Sequence, residues 1–280
     1  MASAQVLAAR RERHQQVTLA RRARHRFRTR LSESPALYLP LARIKYPGPS
    51  PEVIGPGTEL VIDGYTRCAS TFAVYALQLA QPEPVRLAHH LHAPAQLVAA
   101  ARADVPALAV IREPRGAILS QLVREPDVAL RDALIAYTRF YRRLLPCRDR
   151  MVVADFKEVT SDFGAVTRRV NDRFGTAFAE FEPTEQNTVR CFELIKLRGT
   201  LSPVLLGFES GTVTVEDLLP EIALLTRHSQ GQAGTGAAAW VPSRDRDRSK
   251  AALQQQWEQP GLTLLRDRAQ WIYQAFRRPQ

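Results

Sequence analysis

From residue 59 onward, short apolar runs alternate with longer segments whose apolar positions recur every three or four residues. That alternation predicts strand-helix-strand units around a parallel sheet. Leu60 to Ile62 opens a first strand, Val85 to Leu87 a second and Ala107 to Ile111 a third, while Met151 to Phe156 is a fourth that leads into a loop. Helical period runs through Phe72–Ala80, Ala95–Ala103, a segment starting at Gly116, Asp127–Leu145 and Phe163–Phe174. The expected class is α/β, a three-layer parallel sheet flanked by helices. Beyond Glu185 the order blurs: Ser229 to Ala238 reads as a loop and Ser249 to Phe276 as a helical end. No internal repeat is visible.

Ahead of this body, residues 5–30 lack proline and glycine and suit a helix, whereas Tyr38 to Gly57 is dense in both and reads as a linker. The predicted division is a basic arm with its linker over 1–56 and a single domain over 57–280. Charge sharpens it. The 280 residues carry a formal +11, of which nine arginines and one glutamate in residues 1–30 supply +8, leaving +3 for everything after. The body is nearly neutral, so the excess belongs to the arm: a solvated tail, or a contact for an acidic partner such as nucleic acid, anionic lipid or protein. A hydrophobic content of 45% suffices for a sizeable core. Cys68, Cys147 and Cys191 are widely spaced and odd in number, which fits a reducing cytoplasm and neither a disulfide frame nor a zinc site. No apolar run is long enough for a spanning helix, and no secretory signal is readable.

The chemistry gathers at expected strand ends. In "LVIDGYTRCASTF" (Leu60–Phe72), Ala69, Ser70 and Thr71 let backbone approach an anion at a helix N-terminus, two hydroxyls add donors and Arg67 adds charge. GxxxxGK[ST] is absent: Ala69 and Ser70 stand where its second glycine and its lysine belong. In "LAVIREPRGAILSQ" (Leu108–Gln121) a strand ends at Arg112, and Ser120 follows eight residues later. Between them "LAHHLHAPAQL" offers His89, His90 and His92, candidates for a general base. Three histidines within four residues also suit a metal, although no carboxylate or cysteine close by completes a ligand set.

In order and spacing, these segments resemble the sulfotransferases that use 3′-phosphoadenosine 5′-phosphosulfate (PAPS). That family's first loop reads "PKSGTTW" or "PRSGTTW", its histidine lies in a "THLP"-like segment, and an arginine and serine eight apart follow the later strand. The resemblance covers roughly Glu59 to Phe178 and extends to "VADFKEVTSDFGAVTRRVNDRFG". It implies a P-loop-NTPase-like sulfotransferase architecture and metal-free in-line transfer of a sulfuryl group to the hydroxyl or amine of a small-molecule or glycan acceptor. It further implies that Arg67, Cys68, Ala69, Ser70, Thr71 and Phe72 cradle the 5′-phosphosulfate, with Arg67 at the leaving group. Arg112 and Ser120 are implied for the 3′-phosphate, and Arg244, Arg246 and Lys250 for a late basic loop over it. His92 in "HAP" is the closest match to the base; His90, whose separation from Arg112 is closer to the family's, ranks next, then His89. Cys68, Ala69 and Phe72 depart from the family's serine, glycine and aromatic tryptophan or tyrosine.

Two other classes compete. A P-loop nucleotide kinase or hydrolase would use Asp155 at the end of "MVVAD" as a magnesium-binding acid; a non-catalytic binding module would retain the core and use the arm for affinity.

Overall fold

The computed structural model describes residues 19–46, 52–198, 203–218, 220 and 253–278. Four strands, β1 (Leu60–Gly64), β2 (Leu87–His89), β3 (Ala107–Ile111) and β4 (Val152–Asp155), form one sheet in the order β2-β1-β3-β4. Every pairing is parallel: Ile62 lies opposite His89 on one side and Leu108 on the other, and Ile111 lies opposite Asp155. Right-handed crossovers need helices between such strands, so both faces are covered. On one face α3 (Ser70–Ala80) packs with α7 (Phe156–Ser161) and α8 (Phe163–Phe174), backed by α9 (Glu185–Leu197) and α10 (Pro203–Ser210). The other face carries α4 (Pro94–Arg102), α6 (Leu130–Leu144) and α11 (Thr263–Arg277), with α5 (Pro114–Arg124) beside α6. Strands β1 and β3 are buried along their whole length, which explains their unbroken apolar runs. Gly64 lets them approach: a Cβ there would overlap the Val110 carbonyl oxygen.

Several expected boundaries move, each for a local reason. The second strand begins at Leu87 rather than Val85, because the Gln78 side chain takes both backbone groups of Val85, donating to its carbonyl at 2.7 Å and accepting its N–H at 3.1 Å. The fourth strand ends at Asp155 and passes directly into α7 in place of a loop. Asp155 and Glu158 form a capping box there: the Asp155 carboxylate accepts the Lys157 N–H at 3.0 Å and Glu158 accepts the Asp155 N–H at 2.6 Å. The helical end is interrupted by a 3₁₀ turn at Pro260–Leu262, since proline disfavours helix in the residue before it. Ser229–Ala238 lies outside the described residues.

The largest correction concerns the linker and the arm. Tyr38 to Lys45 belongs to a helix, α2 (Pro35–Lys45), with Pro35 in the first turn, where its missing N–H costs nothing. Residues 19–31 form another helix, α1, and both are docked. Arg22 and Arg26 donate to the buried Asp132 carboxylate at 3.1 and 2.8 Å. Arg139 forks onto Glu33 at 2.5 and 2.9 Å, and the Ala95 N–H donates to the Ser32 carbonyl at 2.9 Å. Arg21, Arg22 and Arg26 of the arm therefore meet acids of the body, and Glu33 of the arm meets a body arginine. Among the described residues, no helix is long and apolar enough to cross a membrane.

Candidate functional site

The loops after β1 and β3 meet where parallel strands deliver their carboxyl ends, the usual ligand crevice of such sheets. Two tyrosines one turn apart on α6 hold them. Tyr141 donates to the Val110 carbonyl at 2.9 Å and accepts the Tyr65 N–H at 3.1 Å, while Tyr137 donates to the Arg112 carbonyl at 2.6 Å. Both rings are fully buried. This pair escaped the sequence reading, although its i, i+4 spacing on an amphipathic helix is the signal that could have found it.

Within the β1 loop, Arg67 (φ 67°) and Ala69 (φ 76°) adopt left-handed backbone, a conformation costing a non-glycine residue roughly 1–2 kcal/mol. The turn directs the N-terminus of α3 into a cavity of about 450 Å³. Arg67, Ala69, Ser70, Thr71, Phe72, Arg112, Ser120 and His92 all line it, so the structure unites most of the expected residues. Arg67 Nε donates to Ser120 Oγ at 3.1 Å, and Arg112 donates to the Arg67 carbonyl at 3.1 Å while lying 3.9 Å above the Phe156 ring. Burial lowers the pKa of Arg112. Ser70 is 3% exposed and its hydroxyl lacks a hydrogen-bond partner among the described residues. Buried hydroxyls normally have one, so Ser70 carries unused hydrogen-bonding capacity at the cavity wall.

Cys68 does not join them. Its thiol turns into the core against Tyr141 at 3.4 Å, and burial pushes it up to about 12. Arg244, Arg246 and Lys250 lie outside the described residues. No known family, curated protein or solved structure matches the chain.

The three histidines separate by their surroundings. His92 lines the cavity, with Nδ1 3.0 Å from the Gly64 carbonyl and 3.5 Å from Asp63 Oδ1. A carbonyl only accepts, so Nδ1 carries a proton, and in the neutral ring Nε2 is the nitrogen with the lone pair. Asp63 is wholly buried; its Oδ1 also accepts the backbone N–H of Gly64 at 2.8 Å and of His92 at 3.2 Å. An imidazole whose Nδ1 faces a carbonyl, with a carboxylate at 3.5 Å, leaves Nε2 turned to the cavity side of the ring.

His89 and His90 instead form a relay. His89 Nε2 donates to the Glu209 carbonyl at 3.1 Å, so its Nδ1 accepts, His90 Nδ1 donates to it, and His90 Nε2 accepts from the Thr71 hydroxyl at 2.8 Å. Burial lowers both pKa values, that of His90 strongly, which fits two neutral rings. The fold also supplies the carboxylate absent from the sequence neighbourhood: Glu209 lies with His89 and His90, ligand atoms within 4.8 Å of one another. Arg198 contacts both Glu209 oxygens, at 2.7 and 3.4 Å, and Tyr75 donates to one. The carboxylate is already neutralised, and the two Nδ1 atoms satisfy each other, so the cluster reads as an ion pair with a histidine relay.

Asp155 is likewise committed. Besides capping α7, it accepts from Tyr273 at 2.7 Å and pairs with Arg277 at 3.3 Å.

Proposed function

We propose that this chain is a PAPS-dependent sulfotransferase. The observation that carries the reading is the convergence of Arg67, Ser70, Arg112 and Ser120 on one cavity at the carboxyl ends of β1 and β3. Two arginines, two hydroxyls and the open N–H groups of α3 suit a ligand with two separated anionic groups. The donor's 5′-phosphosulfate sits against α3 and Arg67, and its 3′-phosphate against Arg112 and Ser120. His92 Nε2 takes the proton from the acceptor hydroxyl as the acceptor oxygen bonds to sulfur. The bond between sulfur and the bridging oxygen breaks in line, and its electron pair stays on the 5′-phosphate of 3′-phosphoadenosine 5′-phosphate (PAP), stabilised by Arg67. His92 then returns its proton to solvent. Thr71 offers the same anion its backbone N–H at the start of α3, because its hydroxyl hydrogen is committed to His90 Nε2.

The kinase or hydrolase reading loses its magnesium acid, because Asp155 caps α7 and pairs with α11. Calorimetric titration with PAP and with adenosine triphosphate, each with and without magnesium, tests the proposal. Metal-independent preference for PAP supports it; magnesium-dependent preference for the triphosphate, or binding of neither, overturns it.

A further inference from the structure

The donor cavity does not end at His92. Thr66, His92 and Glu125 also border a throat of about 80 Å³, lined further by His25 and Arg28 of α1. His25 and Arg28 in turn border an outer chamber of about 480 Å³ between α1, α2 and the end of β2. Donor cavity, throat and chamber thus share walls, and His92 stands at the inner junction.

The chamber's chemistry is one-sided. Arg21, Arg24, Arg28 and Lys45 line it, Arg21 being paired with Asp127 outside the recess, and no carboxylate lines it among the described residues. Two of these cations are braced: Arg28 donates to the Leu91 carbonyl at 3.5 Å, and Lys45 donates to the Tyr46 hydroxyl at 2.8 Å. Tyr38 and Tyr46 add aromatic surface and hydroxyls. His25, at the join of throat and chamber, has a buried Nε2 with no hydrogen-bond partner among the described residues. A recess walled by like charges focuses its field and attracts anions more strongly than a flat surface would. Its volume suits a ligand of one or two sugar rings.

We infer that this chamber binds the acceptor, and that the acceptor is anionic: a hydroxyl-bearing molecule of one or two rings carrying a carboxylate, phosphate or sulfate. The anion engages the α1–α2 cations while a hydroxyl enters the throat toward His92. The word acceptor rests on the transfer reading above; the anion site does not.

The test uses the full chain at low ionic strength, with glucose 6-phosphate as probe, glucose as its neutral control, and PAP titrated separately. Three proteins are compared: the unaltered chain, the pair Arg24→Gln with Lys45→Gln, and the charge-preserving pair Arg24→Lys with Lys45→Arg. The unaltered chain and the charge-preserving pair should bind glucose 6-phosphate at least about tenfold more tightly than glucose, and the glutamine pair should lose that preference. PAP affinity should be the same in all three. Equal binding of the two sugars by the unaltered chain, a preference that survives in the glutamine pair, or binding only of a long polyanion such as a short RNA overturns the inference. A preference for glucose 6-phosphate in a chain that ignores PAP sustains the anion site and sinks the transfer reading instead.

Discussion

Replacing Arg112 by methionine isolates the contribution of one guanidinium. Arg112→Met keeps an unbranched apolar stem and removes the guanidinium, whose central carbon lies 3.9 Å above the Phe156 ring. A hydrogen bond to a charged group is worth about 1.5–3 kcal/mol, which at 1.4 kcal/mol per decade corresponds to roughly 10- to 150-fold weaker PAP binding. Part of any loss is indirect, because Arg112 also donates to the Arg67 carbonyl at 3.1 Å and so braces the β1 loop. One ordinary hydrogen bond contributes about 1 kcal/mol, or roughly fivefold. Adenosine 5′-phosphosulfate, which lacks the 3′-phosphate, reports that common part alone. Calorimetry on both ligands should therefore give a large loss for PAP and a small one for adenosine 5′-phosphosulfate. The exposed neighbour Arg115, changed to methionine, should alter neither. Equal losses for both ligands would refute the assignment of Arg112 to the 3′-phosphate.

With an acceptor in hand, His92→Ala should lower turnover by about 10²- to 10⁴-fold while leaving PAP affinity unchanged, and Arg67→Ala should damage both; full turnover in a chain lacking all three histidines would remove histidine as the base. Because burial holds His89 and His90 below the ordinary histidine pKa, the unfolded chain binds more protons than the folded one below about pH 6.5. Stability is then complete above that value and falls on acidification by up to about 1.4 kcal/mol per pH unit for each ring. Thermal unfolding from pH 7.5 to 5 should show the decline, and His90→Asn should flatten it; an unchanged slope means the ring is not held neutral. Burial raises all three thiols, Cys68 to about 12, so at pH 8 a disulfide reagent should reach the half-buried Cys147 first and the buried Cys68 and Cys191 only on unfolding. Rapid modification of Cys68 in the folded chain would contradict its place under the loop.

What the sequence made legible was local. Ala107–Ile111 and Phe163–Phe174 are strand and helix at the boundaries expected, because continuous apolar burial and a 3.6-residue period leave little ambiguity. The cavity-lining set was legible too, since residues at strand ends of a parallel sheet share one crevice. Distant partners were not. Gln78 displaces the start of β2, Glu209 reaches His89 across 120 residues, and nothing in either neighbourhood announces the other. Helix α2 was hidden by Pro40, which counted toward the linker and yet lies inside the helix. The arm's charge concealed the pairing of Arg22 and Arg26 with Asp132, and of its own Glu33 with Arg139, which only the fold assembles. His92 was separable from His90 only once the Gly64 carbonyl and Thr71 hydroxyl had fixed their tautomers.

Helix α11 gives the fold a temporal requirement during synthesis. It buries Ile272 and Phe276 against α6 and β4, and Tyr273 closes on Asp155 across 118 residues. Until that segment has left the ribosome, the α6 side of the sheet keeps an uncovered apolar stripe and β4 has no outer cover. Such non-local closure slows folding, because a long loop must be ordered before its contacts form. While the chain between α6 and the last helix is being made, that apolar surface stays open to non-native contacts, and the crevice end of β4 is completed only when Tyr273 arrives.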